Sequence, residues 1–516
     1  MSWAFEILNR EVGKFMYSPE GCLPLNLEWN DRYGPSQARV FCPCDGMTLQ
    51  DWSICLGQDI RVYDPEGRLA WWGYLESVDQ MRGNQVFSLG LDAMANRVAV
   101  RYLLPTDSEP FVFQQTQWKD DLESQEVYGI KEQLLQRQFM HSQVADLLAA
   151  DWLVVHSQPK VALKGKLTGR LQSEGYVLHC RSWMETLSWR YWQGWNGIVE
   201  HRPAQLGTQP VGQSNTNLRL AQSFVVSSPI QAFSASFRVR REGMPADNLK
   251  VSIQTDLGNQ PSGLILTNTT VSPSELSVET YRWVEVNLPG NAELEVGERY
   301  WLVVERSGSV NNGNYFWLGL DENAGFEDGT LLLQNSTGWS SRSPRADLLF
   351  QVVGRRDHRQ QIIDLVENGG QFLNGVDISF MHESMLPLFY GQGRTCLQTL
   401  FDLIEQGNVG VQPLCSMVSP SRRIEIWQRP KSKEAQFYLD EDESIKDRFG
   451  QLLKAFWHAV GQWLHTSQGQ PVYIHGLSFD FTNGRCLLNN NQAANHGHNL
   501  GKNSICTAAS IDQKLL

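Results

Sequence analysis

Residues 283–304 read WVEVNLPGNAELEVGERYWLVV. Trp283–Leu288 alternates large apolar and polar residues. Pro289-Gly290-Asn291 breaks the run, and Arg299–Val304 resumes it as a nearly unbroken apolar segment. Alternation with a period of two, punctuated by Pro and Gly, is the mark of short strands with one buried face. The same texture extends both ways through Gln222–Val226, Phe233–Val239, Leu249–Gln254, Leu264–Thr267, Tyr315–Leu318, Gly329–Leu333 and Leu348–Val353. Ser, Thr, Asn and Gly fill the gaps, and helix signals are scarce. Residues 205–354 are therefore expected to form a β-sandwich of jelly-roll type. A sandwich whose ends come together can be spliced into a host domain without breaking it.

Outward of this block the style changes. Before it, Cys22–Trp29, Asp59–Tyr63, Leu69–Val78 and Val86–Leu91 read as short strands separated by turns such as Asp64-Pro65-Glu66-Gly67. They predict a small antiparallel β-domain of barrel type over 1–110. A mixed α/β stretch, 111–204, follows. In it Glu132–Leu148 has helical spacing, Trp152–Val155 and Tyr176–Cys180 read as strands, and the aromatic stripe Trp183–Trp192 reads as a short helix with buried indoles in preference to a ligand platform. After the sandwich, 355–516 returns to the mixed style. Thr395–Gln406 reads as an amphipathic helix stopped at Gly407-Asn408, and Val411–Met417 and Arg423–Trp427 as paired strands. Gln470–Phe481 reads as a hairpin bent at His475-Gly476, and the last residues as a polar tail. The expected class is mainly β with some α, in several domains.

Composition bounds the function. The 516 residues are 41% hydrophobic and 19% charged, which is too apolar for a disordered chain. A net charge of −12 argues against coating nucleic acid, and no sequence-specific nucleic-acid partner is expected. No run of about 18 apolar residues offers a membrane-spanning helix. Glu6 and Asn9 interrupt the segment where a secretion signal needs an apolar core, so synthesis in the cytoplasm without export by that route is expected.

The 18 tryptophans suit β-faces and interfaces. The 9 cysteines are odd in number and scattered, unlike a disulfide framework. Cys42, Cys44 and Cys55, with Cys22 upstream, are a weak metal-ligand pattern, because C-x-C departs from the usual knuckle spacing and no His lies nearby. Core thiols are the plainer reading, and no metal or cofactor is expected. Asp440-Glu441-Asp442-Glu443 fits a solvated turn better than a glycosidase pair, and His496-Gly497-His498 sits in an Asn-rich tail. Without a nucleophile, base or phosphate-loop motif, no enzymatic activity is expected.

Several phrases taken in order resemble the tail hub (baseplate hub) proteins of tailed bacteriophages. They are Ala70-Trp71-Trp72-Gly73-Tyr74-Leu75-Glu76-Ser77-Val78, Gln117-Trp118 followed by Tyr128-Gly129-Ile130-Lys131-Glu132, and His179-Cys180-Arg181-Ser182-Trp183 with Thr186-Leu187-Ser188-Trp189-Arg190-Tyr191. Gly393-x-Thr395 with its helix and Arg423–Pro430 complete the set. Residues 205–354 resemble a carbohydrate-binding-like jelly-roll module, through Leu220–Phe224, Gly263-Leu264-Ile265, Glu298–Val304, Gly338-Trp339 and Asp347–Val352.

The resemblance implies a virion structural protein in a phage tail. It would form a homotrimeric ring joining tail tube and distal tail proteins to a spike or fibre, with early and late β-domains alternating around six positions. The sandwich would face outward, toward host surface glycans. Its candidate sugar platforms are Trp317 and Trp339, in turn-rich surroundings, and Tyr315; core packing or subunit contact is the competing role. The rival function is a secreted or cell-surface glycan-binding or glycan-cleaving protein.

Overall fold

The structure is a computed structural model that describes residues 3–43, 46–83, 85–104, 113–166, 174–192, 197–379, 385–387, 393–406, 414–430, 437–439, 445–447, 449, 451, 456–465, 471–482, 485–489 and 505–506. Antiparallel sheets dominate it, and the chain is a β-rich multidomain protein. It divides into two compact units. One comprises Met1–Trp192, Ile362–His382 and Gln392–Leu516, and the other Gln193–Gln361 with Glu383–Gly391. Residues 1–192, 362–382 and 392–516, which the sequence reading divided among 1–110, 111–204 and 355–516, thus belong to one discontinuous unit, while 193–204, 355–361 and 383–391 go with the sandwich.

The first unit is built on a 12-stranded sheet. Strand Leu69–Arg82 is its hub and pairs with Asp59–Tyr63, Gly175–Arg181 and Gln85–Gly90. Gly34–Pro43 shows why the sheet has two characters: Ala38, Val40 and Cys42 are buried while Gln37 and Arg39 on the alternate face are exposed. The ends of the strand path, Phe15–Tyr17 and Ile505–Cys506, are not paired to each other.

Gly476–Asp480 joins this sheet beside Leu23–Asn30. Pro471–Tyr473 pairs instead with Trp463–His465 in a different sheet. Gln470–Phe481 is therefore not a hairpin. Leu477 and Phe479 are buried, and Phe479 meets Trp29 edge-on at 5.7 Å, so core burial recruits the segment away from its sequence neighbour.

Two further expectations change. Glu132–Phe139 is a strand, parallel to Arg97–Leu103, and the helix begins only at Ser142. That helix, Ser142–His156, absorbs Trp152–Val155, which the sequence reading made a strand. Ala145, Leu148, Ala149, Trp152 and Leu153 pack on Val98, Val100 and Tyr102 of the small sheet. Tertiary packing decides between two conformations that the Leu- and Gln-rich segment tolerates about equally. Trp183–Trp189 is a 3-10 helix with both indoles buried, and the Trp183 Nε1–H donates to Asp59 Oδ1 at 2.9 Å.

The second unit is a sandwich of a 9-stranded and a 6-stranded sheet. Phe224, Leu302, Val304 and Leu331 from one sheet and Phe237, Phe316, Leu318 and Phe350 from the other form one core. The first strand, Ile198–His201, runs antiparallel to Phe350–Asp357, and the Gly354 N–H donates to the Gly197 carbonyl at 2.6 Å. Entry and exit of the sandwich are therefore neighbours.

Candidate functional site

The strand Ile230–Glu242 ends Phe237-Arg238-Val239-Arg240-Arg241-Glu242. Phe237 and Val239 point into the core, so alternation turns Arg238, Arg240 and Glu242 to the outer face of the 9-stranded sheet. The neighbouring strands repeat the logic. Val284 and Val286 face inward and Trp283 outward; Phe316 and Leu318 face inward and Tyr315 and Trp317 outward. Register then brings the polar and aromatic partners together, with Arg238 directly opposite Trp283 and Arg240 directly opposite Trp317.

The result is a face of interleaved arginines and rings. The Arg240 guanidinium lies 5.3 Å from the Tyr281 ring and 5.5 Å from the Trp317 ring. It also donates to Glu242 Oε2 at 3.0 Å, which accepts from Trp317 Nε1 at 3.1 Å as well. Those two hydrogen bonds, from Trp317 first and Arg240 second, hold the Glu242 carboxyl below the usual carboxylate range. Arg202 reaches over Trp283, its guanidinium carbon 4.2 Å from the ring centre.

The three candidate platforms separate. Trp317 is half-buried on this face, beside Tyr315 at 5.4 Å. Tyr315 is buried, only 6% exposed, and offers little ring to a ligand. Trp339 lies in strand Gly338–Ser341 of the other sheet, and packs against Ala221, Trp301, Val303 and Leu332 on that sheet's outer side. Trp317 and Trp339 therefore occupy opposite faces of the sandwich and do not form one site. Trp301 is buried beneath Trp339 and donates to Asp256 Oδ1 at 2.7 Å.

Arg202, Arg238 and Arg240 were not singled out from the sequence. The signal was present in F-R-V-R, since an inward Phe237 and Val239 turn the alternate residues, Arg238 and Arg240, outward. A separate cavity of about 470 Å³ opens near the end of the sandwich, lined by Ser223, Val225, Arg299, Glu327, Asp328 and Thr330 among others.

The thiols sort differently from the sequence pattern. Cys42 neighbours Cys22, whose hydrogen bond, together with burial, pushes the Cys42 thiol far up. Burial pushes Cys55 up to about 11. These are neutral core thiols at ordinary pH. Cys44, Asp440-Glu441-Asp442-Glu443 and His496-Gly497-His498 lie outside the described residues. Among the described residues, no three His, Cys, Asp or Glu side chains converge as a metal site.

No protein family matches the chain, and no curated protein matches it. Solved structures align only loosely. The functional form of the mosquito-larvicidal Cry4Aa toxin from Bacillus thuringiensis aligns with 65% of this chain at 8% identity and a TM-score of 0.18. The alignment spans 58% of the toxin chain. The structure of infectious bursal disease virus, Gt strain, aligns with 68% of this chain and 78% of its own at 9% identity and a TM-score of 0.17. Similarity this low carries no argument about fold or function.

Proposed function

We propose that the protein is a structural subunit of a phage-type tail hub, assembling as a trimeric ring, with the sandwich presenting a glycan-binding face. The observation that carries the reading is the splice. A complete sandwich with its own core and adjacent ends interrupts a β-rich unit whose strands come from both sides of the interruption. A host scaffold carrying an inserted module fits a protein that assembles through one part and contacts something else through the other. The ordered hub-like phrases supply the kind of scaffold, and the exposed arginine–aromatic face supplies the contact. Three copies on one ring raise the effective concentration of the second and third contacts, so weak sugar sites hold a particle.

The arginine–aromatic face equally serves a glycan-binding protein that does not assemble, and the mass of the native assembly separates the two. A trimer, with the tube partner present, is the expected result. A stable monomer that binds or cleaves polysaccharide under the same conditions replaces the hub reading with the second one.

A further inference from the structure

We infer that the Arg202–Arg238–Trp283 row on the outer face of the 9-stranded sheet is a binding site for acidic saccharides, those carrying carboxylate or sulfate groups. This rests on the reading of the sandwich as a glycan-binding module and names the class of glycan. The acids on this face have partners: Glu242 takes Arg240 and Trp317, Glu285 accepts from Ser234 Oγ at 2.8 Å, and Glu200 accepts from Gln351 Nε2 at 2.7 Å. Arg202 and Arg238 do not: among the described residues neither bonds to a carboxylate. Both converge on Trp283, Arg202 over its ring and Arg238 opposite it in the ladder.

Arg238 Nε and the Gln205 amide oxygen are moreover buried without hydrogen-bond partners. Both side chains adjoin Gly319, where an added Cβ would lie 2.9 Å from Gln205 Oε1 and 3.2 Å from Arg238 Cβ. A bare glycine here lets the Gln205 and Arg238 side chains pack close over the strand backbone. A guanidinium without a counter-charge favours an anionic partner, whereas the Gln205 amide oxygen, an acceptor, is completed by a donor such as a sugar hydroxyl. Carboxylate and sulfate groups match the planar fork of arginine, and the Trp283 ring holds the Arg202 guanidinium in place by cation–π contact. Trp283 and Trp317 flank the central strand on either side and two residues apart along it, which sets their backbones roughly 12 Å apart. That separation suits a chain of sugars better than a single anion.

The test is titration calorimetry on the full-length protein. The probes are an oligogalacturonate, a sulfated oligosaccharide, a neutral oligoglucan of equal length, and inorganic sulfate alone. Binding of one or both acidic saccharides over the neutral one is expected, and the two acidic arms tell carboxylate from sulfate. Arg238→Gln and Arg202→Gln should each weaken it at least about tenfold, since hydrogen bonds to charged groups are worth that much. Trp339→Ala, on the opposite face, should leave it unchanged. Arg202 is exposed, so its variant tests the site even if Arg238→Gln disturbs folding.

Equal affinity for the neutral chain, or undiminished acidic binding in a folded Arg202→Gln protein, overturns the inference. So does binding of inorganic sulfate as tightly as the saccharide. Neutral-chain binding lost in Trp317→Ala would sink the acidic class while keeping the glycan-binding reading. Absence of binding to every saccharide would remove both.

Discussion

Glu132 shows how much one buried carboxylate can organise. Its side chain is fully buried, yet it accepts from Arg190 Nε at 3.1 Å, from Arg97 at 3.3 Å and from the Tyr191 backbone N–H at 2.6 Å. Tyr191 is in turn bridged to Thr395, and the Trp192 N–H donates to the Arg394 carbonyl at 2.9 Å. The carboxylate thus fixes the last residues before the sandwich against the segment that returns after it. Glu132→Ala leaves the Arg190 guanidinium and the Tyr191 N–H without their acceptor and Arg97 with Asp120 alone, and should cost about 3 kcal/mol; Glu132→Gln should cost less. Urea unfolding of each variant checks this.

Asp79 works through pH. Burial alone would raise its carboxyl, but hydrogen bonds from His179, Ser88 and Lys164 pull it far below the ordinary range. A depressed carboxylate contributes stability that is present above its unfolded value, about 3.9, and is lost as pH falls through the folded one. Asp79→Asn should therefore lower Tm at neutral pH and flatten the fall in Tm below about pH 4. An unchanged acid slope would show that the carboxylate is not the group being titrated.

At the scale of the element, strand parity decides which aromatics can act together. Trp317 and Trp339 both sit in turn-rich sequence, and nothing local distinguishes them. Their sheets turn them to opposite sides. Attachment to a glycan surface should therefore fall in Trp317→Ala and hold in Trp339→Ala. Trp339→Ala should instead cost about 1–2 kcal/mol of stability, because it uncovers Trp301 and Leu332. Binding assays and thermal unfolding on the same two proteins measure both effects. Loss of attachment in Trp339→Ala alone would place the site on the other sheet.

For the whole molecule, the useful cut is set by pairing rather than composition. Cutting at residue 205 strands Ile198–His201 without its partner, Phe350–Val353. Replacing 198–353 with a short Gly/Ser link between Gly197 and Gly354 joins two backbones that are already hydrogen-bonded. The shortened protein should stay soluble and keep the oligomeric mass of the full chain while losing saccharide binding. Insoluble protein from this cut would show that the first unit depends on the sandwich. A retained fold with a lost oligomer would place subunit contacts on the sandwich.

The β-rich class and the strand-dense sandwich were legible in the sequence because both rest on period-two burial, which each strand records locally. Trp183-Met184-Glu185-Thr186-Leu187-Ser188-Trp189 was legible for a similar reason, since its indoles had to be buried wherever they lay. Glu132–Phe139 was not, because Leu and Gln serve a helix and a strand about equally, and only the open edge of Arg97–Leu103 settled the matter. Gly476–Asp480 was not, because its partner, Leu23–Asn30, lies more than 400 residues earlier in the chain. The arginine–tryptophan face needed both kinds of information. Alternation by itself determined that Arg238, Arg240, Trp283 and Trp317 point outward. Which arginine meets which ring is a matter of register between strands far apart in sequence, and register is fixed only when the two sheets close over a common core.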